Sequence, residues 1–204
     1  MTINHFDLIQ EQFLQRFNNN PDIYFHLQIL QRKKEHPEIG SNSRVIKQYL
    51  IVPDSSEQRD LMHYKDEIVY LCDKLQARAY INLNPKSLST LAKMSIMRLA
   101  ERNLNGDLLG MQNVVFSCAG EQKAISKDEV VWVVDVDGNL DSAVEVGGGL
   151  NDIGATVICP FIKTINGYHI LTHKFDRCEF AKYYPEINVQ INNPTLLYYN
   201  DIND

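Results

Sequence analysis

A chain of 204 residues that is 44% hydrophobic and 23% charged carries enough apolar material for one sizeable domain or two small packed halves, which excludes wholesale disorder. Its formal net charge of −6 excludes a histone-like binder of nucleic acid, but it leaves room for a local basic groove. Cys72, Cys118, Cys159 and Cys178 are scattered with no C-x-x-C spacing, which points to buried free thiols rather than a zinc site or a disulfide framework.

Residues 4–17 repeat apolar side chains at helical spacing (Phe6, Ile9, Phe13, Phe17) and stop at Asn18-Asn19-Asn20-Pro21. Residues 23–30 and 44–52 read as the two strands of an extended hairpin, whose tip Arg32-Lys33-Lys34-Glu35-His36-Pro37 reads as a solvated loop. Ser55 or Ser56 is placed to cap a helix reaching about Gln76. A short strand over 79–83 is expected to stop at Asn84-Pro85. Ser87 then opens a second long helix with Leu88, Leu91, Ala92, Ile96, Leu99 and Leu104 inward.

Residues 105–128 are polar and glycine-containing and read as an irregular join. Val130-Val131-Trp132-Val133-Val134 is the most apolar strand, expected to be central and buried on both faces. Residues 139–155 read as a weak helix or turn, with Gly147-Gly148-Gly149 as a flexible turn and no G-K-[ST] after it. Strands over 157–163 and 168–172 meet at Asn166-Gly167, a favoured hairpin turn; a short helix over 177–184 and a strand over 195–199 follow. Tyr183-Tyr184 and Tyr198-Tyr199 read as packing residues, with base stacking as the alternative.

The fold class expected is α+β, with an N-terminal α/β half (residues 1–107) packed on a C-terminal half (residues 129–204) built on a central, mainly antiparallel sheet. No run approaches the ~18 apolar residues of a membrane span, and the start lacks a secretory pattern, so a cytoplasmic protein without a membrane partner is expected.

Asp135 and Asp137 stand two apart at a strand end, so both carboxylates project from one face. Two neighbouring anions repel, and a hard divalent cation such as Mg²⁺ or Mn²⁺ relieves that repulsion. Gly138 ends the strand and leaves the pair at a rim. Downstream, His169 follows the glycine of its turn closely enough to approach a phosphate, with Lys163 across the hairpin.

In this order, Val133-Val134-Asp135-Val136-Asp137 and Gly167-Tyr168-His169 resemble the archaeo-eukaryotic primase, or primase–polymerase, superfamily. The upstream Tyr80-Ile81-Asn82-Leu83-Asn84-Pro85-Lys86 resembles an element common in its phage and plasmid members. The resemblance implies an RNA-recognition-motif-like (RRM-like) catalytic half and template-directed primer synthesis or nucleotide addition. Asp135 and Asp137 would be the catalytic, metal-holding acids. His169, Lys163, Gly167 and Lys86 would bind nucleotide or phosphate, and Asp201 or Asp176 would be the third acid. The implied partners are nucleoside triphosphates, a single-stranded template and a helicase or other replication protein.

Two alternatives stand beside this reading. Asp135-Val136-Asp137-Gly138-Asn139-Leu140 also resembles the opening motif of haloacid-dehalogenase-type phosphatases, where the first aspartate is a nucleophile; the segment after it, however, reads mainly as strands rather than alternating strand and helix. A degenerate primase-like module that binds nucleic acid without catalysis is the other.

Overall fold

The computed structural model describes residues 1–53 and 60–201. The chain begins with β1 (Thr2–Asn4) and α1 (Phe6–Ile9), which continues as irregular helical turns to Phe17. Then come β2 (Ile23–Gln31), β3 (Arg44–Ile51), α2 (Lys65–Leu75), β4 (Arg78–Ser87), α3 (Leu88–Leu104) and α4 (Val114–Glu121). The remainder is β5 (Trp132–Asp137), α5 (Leu140–Asp152), β6 (Val157–Lys163), β7 (Gly167–Thr172), α6 (Arg177–Tyr183), β8 (Asn188–Ile191) and β9 (Thr195–Asn200). The architecture is α+β with two antiparallel sheets, ordered β1-β9-β4-β2-β3 and β6-β7-β5-β8. β9 returns from the C-terminal segment to lie between β1 and β4, so the sheets do not divide the chain at one point.

The two faces of β5 explain how the layers stack. Trp132, Val134 and Val136 point to one side and pack on Ala143, Val146 and Leu150 of α5 and Phe180 of α6. Val131 and Val133 point to the other, where they share a core with Ile81, Leu197, Phe6 and Ile9 of the first layer. Each such buried side chain contributes roughly 1.5–3 kcal/mol. The central, doubly buried strand expected from the β-branched run is therefore present.

Several elements differ from their sequence reading, each for a physical reason. β4 does not stop at Asn84-Pro85 but runs on to Ser87. Its register with β2 shifts between Tyr24 and His26, and Pro85 falls in that bulge, where the ladder needs no N–H. Ser87 caps α3 as expected, its Oγ accepting from the Thr90 N–H at 3.1 Å. The caps expected at Ser55 or Ser56 lie outside the described residues. The inward stripe of α3 is Leu88, Leu91, Met94 and Leu99, while Ile96 (67% exposed) and Leu104 (85%) face outward. α4 sets that rotation: it forms within the segment read as irregular and packs Val114, Cys118 and Ala119 against Leu91 and Tyr24.

Gly147-Gly148-Gly149 is not a flexible turn but the interior of α5. A Cβ on Gly149 would overlap the Tyr184 ring, which stacks on Phe180 at 5.1 Å between centroids. Cys72, Cys118 and Cys159 are buried thiols, whereas Cys178 is exposed. Burial pushes the Cys72 thiol up to about 12. Among the described residues, no helix is long and apolar enough to cross a membrane.

Candidate active site

Where the shared core ends, the sheets part into a cleft of about 310 Å³. One wall belongs to the second sheet. Strand alternation puts Asp135 and Asp137 on the face of Val133, and Asp135 stands directly opposite His169 of β7. His169 Nε2 lies 3.4 Å from Asp135 Oδ1, while its Nδ1 is 2.8 Å from the buried Thr195 hydroxyl. Thr195 thus fixes the ring so that Nε2 addresses the acid. On the other flank, Gln190 Nε2 donates to Asp135 Oδ2 at 3.3 Å, and Asn193 Nδ2 donates to Gln190 Oε1 at 2.8 Å.

The opposite wall comes from the first sheet and was not found by sequence reasoning. Arg32, Arg78 and Tyr80 line it. Arg78 is nearly buried, its guanidinium 5.0 Å over the Tyr199 ring. It is gripped by both carboxylate oxygens of Glu35, one of them 3.0 Å from Nε. The only hint in the sequence is that Arg78 directly precedes the apolar run Ala79-Tyr80-Ile81; which face it takes depends on how the two sheets pack.

Three asparagines hold the walls together. Asn84 Oδ1 accepts from the Val131 N–H at 2.7 Å, and Asn82 Nδ2 donates to the Asn192 carbonyl at 2.8 Å. Asn84 Nδ2 also donates to Asn192 Oδ1 at 3.3 Å. The Asn192 backbone is left-handed, with φ +59°, a conformation that asparagine tolerates better than most residues. The clamp spans β4, the entry to β5 and the β8–β9 turn, whose Asn193 and Pro194 line the cleft.

Asp135, Asp137 and His169 are brought together; the other expected site residues are not. Lys163 pairs with Tyr168 and stacks its Nζ 4.4 Å from that ring's centre, on the face away from His169. Gly167 is needed for another reason: a Cβ there would overlap the Val136 carbonyl oxygen, so it allows close pairing of β7 with β5. Lys86 is fully buried at the far end of β4 from Arg78 and donates to the Ala119 carbonyl at 2.7 Å. Asp176 caps α6, accepting from the Cys178 and Glu179 N–H groups at 2.8 and 3.1 Å. Asp201 follows the end of β9 remote from Thr195, roughly 20 Å along the strand. Neither acid reaches the pair. Among the described residues, no group of three His, Cys, Asp or Glu side chains is set to hold a metal.

The donor set still fits one kind of ion. Two adjacent carboxylates, one half-buried and one exposed, offer hard oxygens and leave other positions open. Mg²⁺ and Mn²⁺ suit such a site, because they keep waters and take phosphate oxygens as further ligands.

No family model, curated protein or solved structure matches the chain.

Proposed function

We propose that the cleft carries out metal-dependent nucleotidyl transfer of the primase–polymerase kind, adding nucleotides on a single-stranded template. The observation that carries this reading is the Asp135–Asp137–His169 group on paired strands, facing Arg32 and Arg78 across one cleft. The order β-α-β-β-α-β with strands β6-β7-β5-β8 supports an RRM-like second layer.

On this reading Asp135 and Asp137 hold Mg²⁺ or Mn²⁺. The ion, when bound, supplies charge neutralisation at the triphosphate and activates the attacking hydroxyl. Arg32 and His169 take phosphate oxygens, and Arg78, held by Glu35, lines the same wall beside them. Gln190 and Thr195 keep Asp135 and His169 oriented. A helicase or other replication protein would be the partner that presents the template.

The phosphatase reading loses its support, since alternating strand and helix build a parallel sheet whereas β5 has antiparallel neighbours on both sides. A module that binds nucleotide without joining it is the second reading, favoured by the lack of a third acid near the pair among the described residues. The test is incorporation of labelled nucleotide on a single-stranded template, with manganese binding measured in parallel. Wild type should incorporate, and Asp135→Ala and Asp137→Ala should lose both metal and product. Incorporation that survives Asp137→Ala would refute the assignment. Manganese-dependent nucleotide binding without product marks the second reading.

A further inference from the structure

The tip of the β2–β3 hairpin carries a run of cations, and the structure changes what that run means. Arg32 at its base lines the cleft that holds Asp135 and Asp137, as does Ser43 just before β3. Lys34 and Arg44 are exposed beside them, and Lys33 is half-exposed. Among the described residues, no carboxylate forms an ion pair with Arg32, Lys33, Lys34 or Arg44; Lys33 Nζ donates to the Pro37 carbonyl at 2.6 Å, and its charge also acts on nearby Glu38.

The acids of the tip are already taken. Glu35 is bound to Arg78, and Glu38 Oε1 lies 2.9 Å from His36 Nδ1. The other His36 nitrogen is 2.8 Å from the Gln76 carbonyl, so acceptors face both ring nitrogens and favour the doubly protonated, charged ring. These contacts also fix the tip in place. Glu35 and His36 donate backbone N–H groups to the Arg32 carbonyl at 3.0 Å, and the Glu35 and His36 side chains tie the turn to the start of β4 and the end of α2. On a chain whose net charge is −6, the result is a localised, anchored basic patch continuous with the cleft that holds Asp135 and Asp137.

We propose that this hairpin tip is the landing surface for single-stranded nucleic acid, which it leads over Arg32 towards the Asp135–Asp137 pair. The inference rests on the nucleotidyl-transfer reading of the cleft. A row of cations on one narrow turn follows one phosphate backbone, and a strand crossing it is presented as template beside the Asp135–Asp137 pair. The cations also offset the repulsion that the aspartates exert on an incoming polyanion. Contacts of this kind carry little sequence preference and release counterions, so binding falls steeply with salt.

The experiment measures binding of a labelled single-stranded oligonucleotide to the full chain across a salt series. The variants are Lys33→Ala/Lys34→Ala/Arg44→Ala and, as a control, Lys123→Ala/Lys127→Ala, whose lysines are exposed beyond α4. Losing three phosphate contacts should weaken binding roughly a hundred-fold at about 0.1 M salt and lower the log–log salt slope by about two. The control should match wild type. Wild-type affinity in the tip variant, failure of the wild type to bind the oligonucleotide, or equal affinity for a duplex would overturn the proposal. Manganese-dependent nucleoside triphosphate binding is measured on the same proteins. Its retention in the tip variant locates a loss at the landing surface, whereas its absence from the wild type refutes the reading of the cleft itself.

Discussion

Replacing Lys86 with methionine measures what a buried cation costs this fold. Burial pushes the Lys86 ammonium down from its ordinary 10.5 to about 8. The unfolded chain then holds the proton more tightly, so the penalty is fully present below the folded value. It disappears as pH rises towards 10.5. That displacement amounts to about 3 kcal/mol at neutral pH, of which about 2 kcal/mol is relieved by about pH 9.5. Methionine has no proton to lose, so urea unfolding of both proteins at about pH 7 and about pH 9.5 isolates the term. The wild type should gain about 2 kcal/mol on the variant between the two. The raised Tyr24 phenol affects both proteins alike and cancels in the difference. Absolute stability is a poorer gauge, because the variant also leaves the Ala119 carbonyl without its donor, at about 1–3 kcal/mol. A difference that stays flat with pH refutes the reasoning: Lys86 would then reach solvent past α4 and be available to a nucleotide.

Gly167→Ala should destabilise the protein by about 2–4 kcal/mol in urea unfolding, because the new methyl overlaps the Val136 carbonyl and parts β7 from β5. Asn84→Ala leaves the buried Val131 N–H without its acceptor; a loss of about 2–3 kcal/mol is expected by the same measurement. Gly149→Ala should destabilise by about 1–3 kcal/mol through its clash with Tyr184. In a Tyr184→Ala background the sign should reverse, since alanine is then the better helix former by up to about 1 kcal/mol; a double-mutant cycle read by thermal unfolding checks this.

What the sequence disclosed and what it hid follow a physical line. β5, the β6–β7 hairpin and the Ser87 cap were legible because each is set by neighbours along the chain: a continuous β-branched run, two strands meeting at a polar turn, and a hydroxyl before a helix; the turn itself is centred on Ile165-Asn166, with Gly167 already in β7. The shared face of Asp135 and Asp137 follows from the two-residue period of a strand, whereas His169 meets Asp135 through the β5–β7 pairing, across the intervening α5 and β6. β1 and β8 escaped because edge strands of three and four residues carry almost no pattern. Pro85 misled because β4 bulges at that point, and its register against the distant β2, not its own neighbours, decides whether proline is tolerated. The outward turn of Ile96 and Leu104 likewise depends on α4, which lies elsewhere in the chain.

The second wall of the cleft belongs to this hidden class, and that bears on how the site works. Arg32 and Arg78 meet the aspartates only because one sheet is docked on the other, so the cleft is a product of tertiary packing rather than of a motif. The Asn82–Asn84–Asn192 clamp crosses that junction with hydrogen bonds of 2.7–3.3 Å. It therefore helps set the distance between the acidic and basic walls without touching either. This gives the Asn84-Pro85 element, which drew attention as a nucleotide-contacting segment, a different part. Its lysine is sealed under α4 and its proline sits in the β2–β4 bulge, while its asparagine joins the sheets that form the cleft.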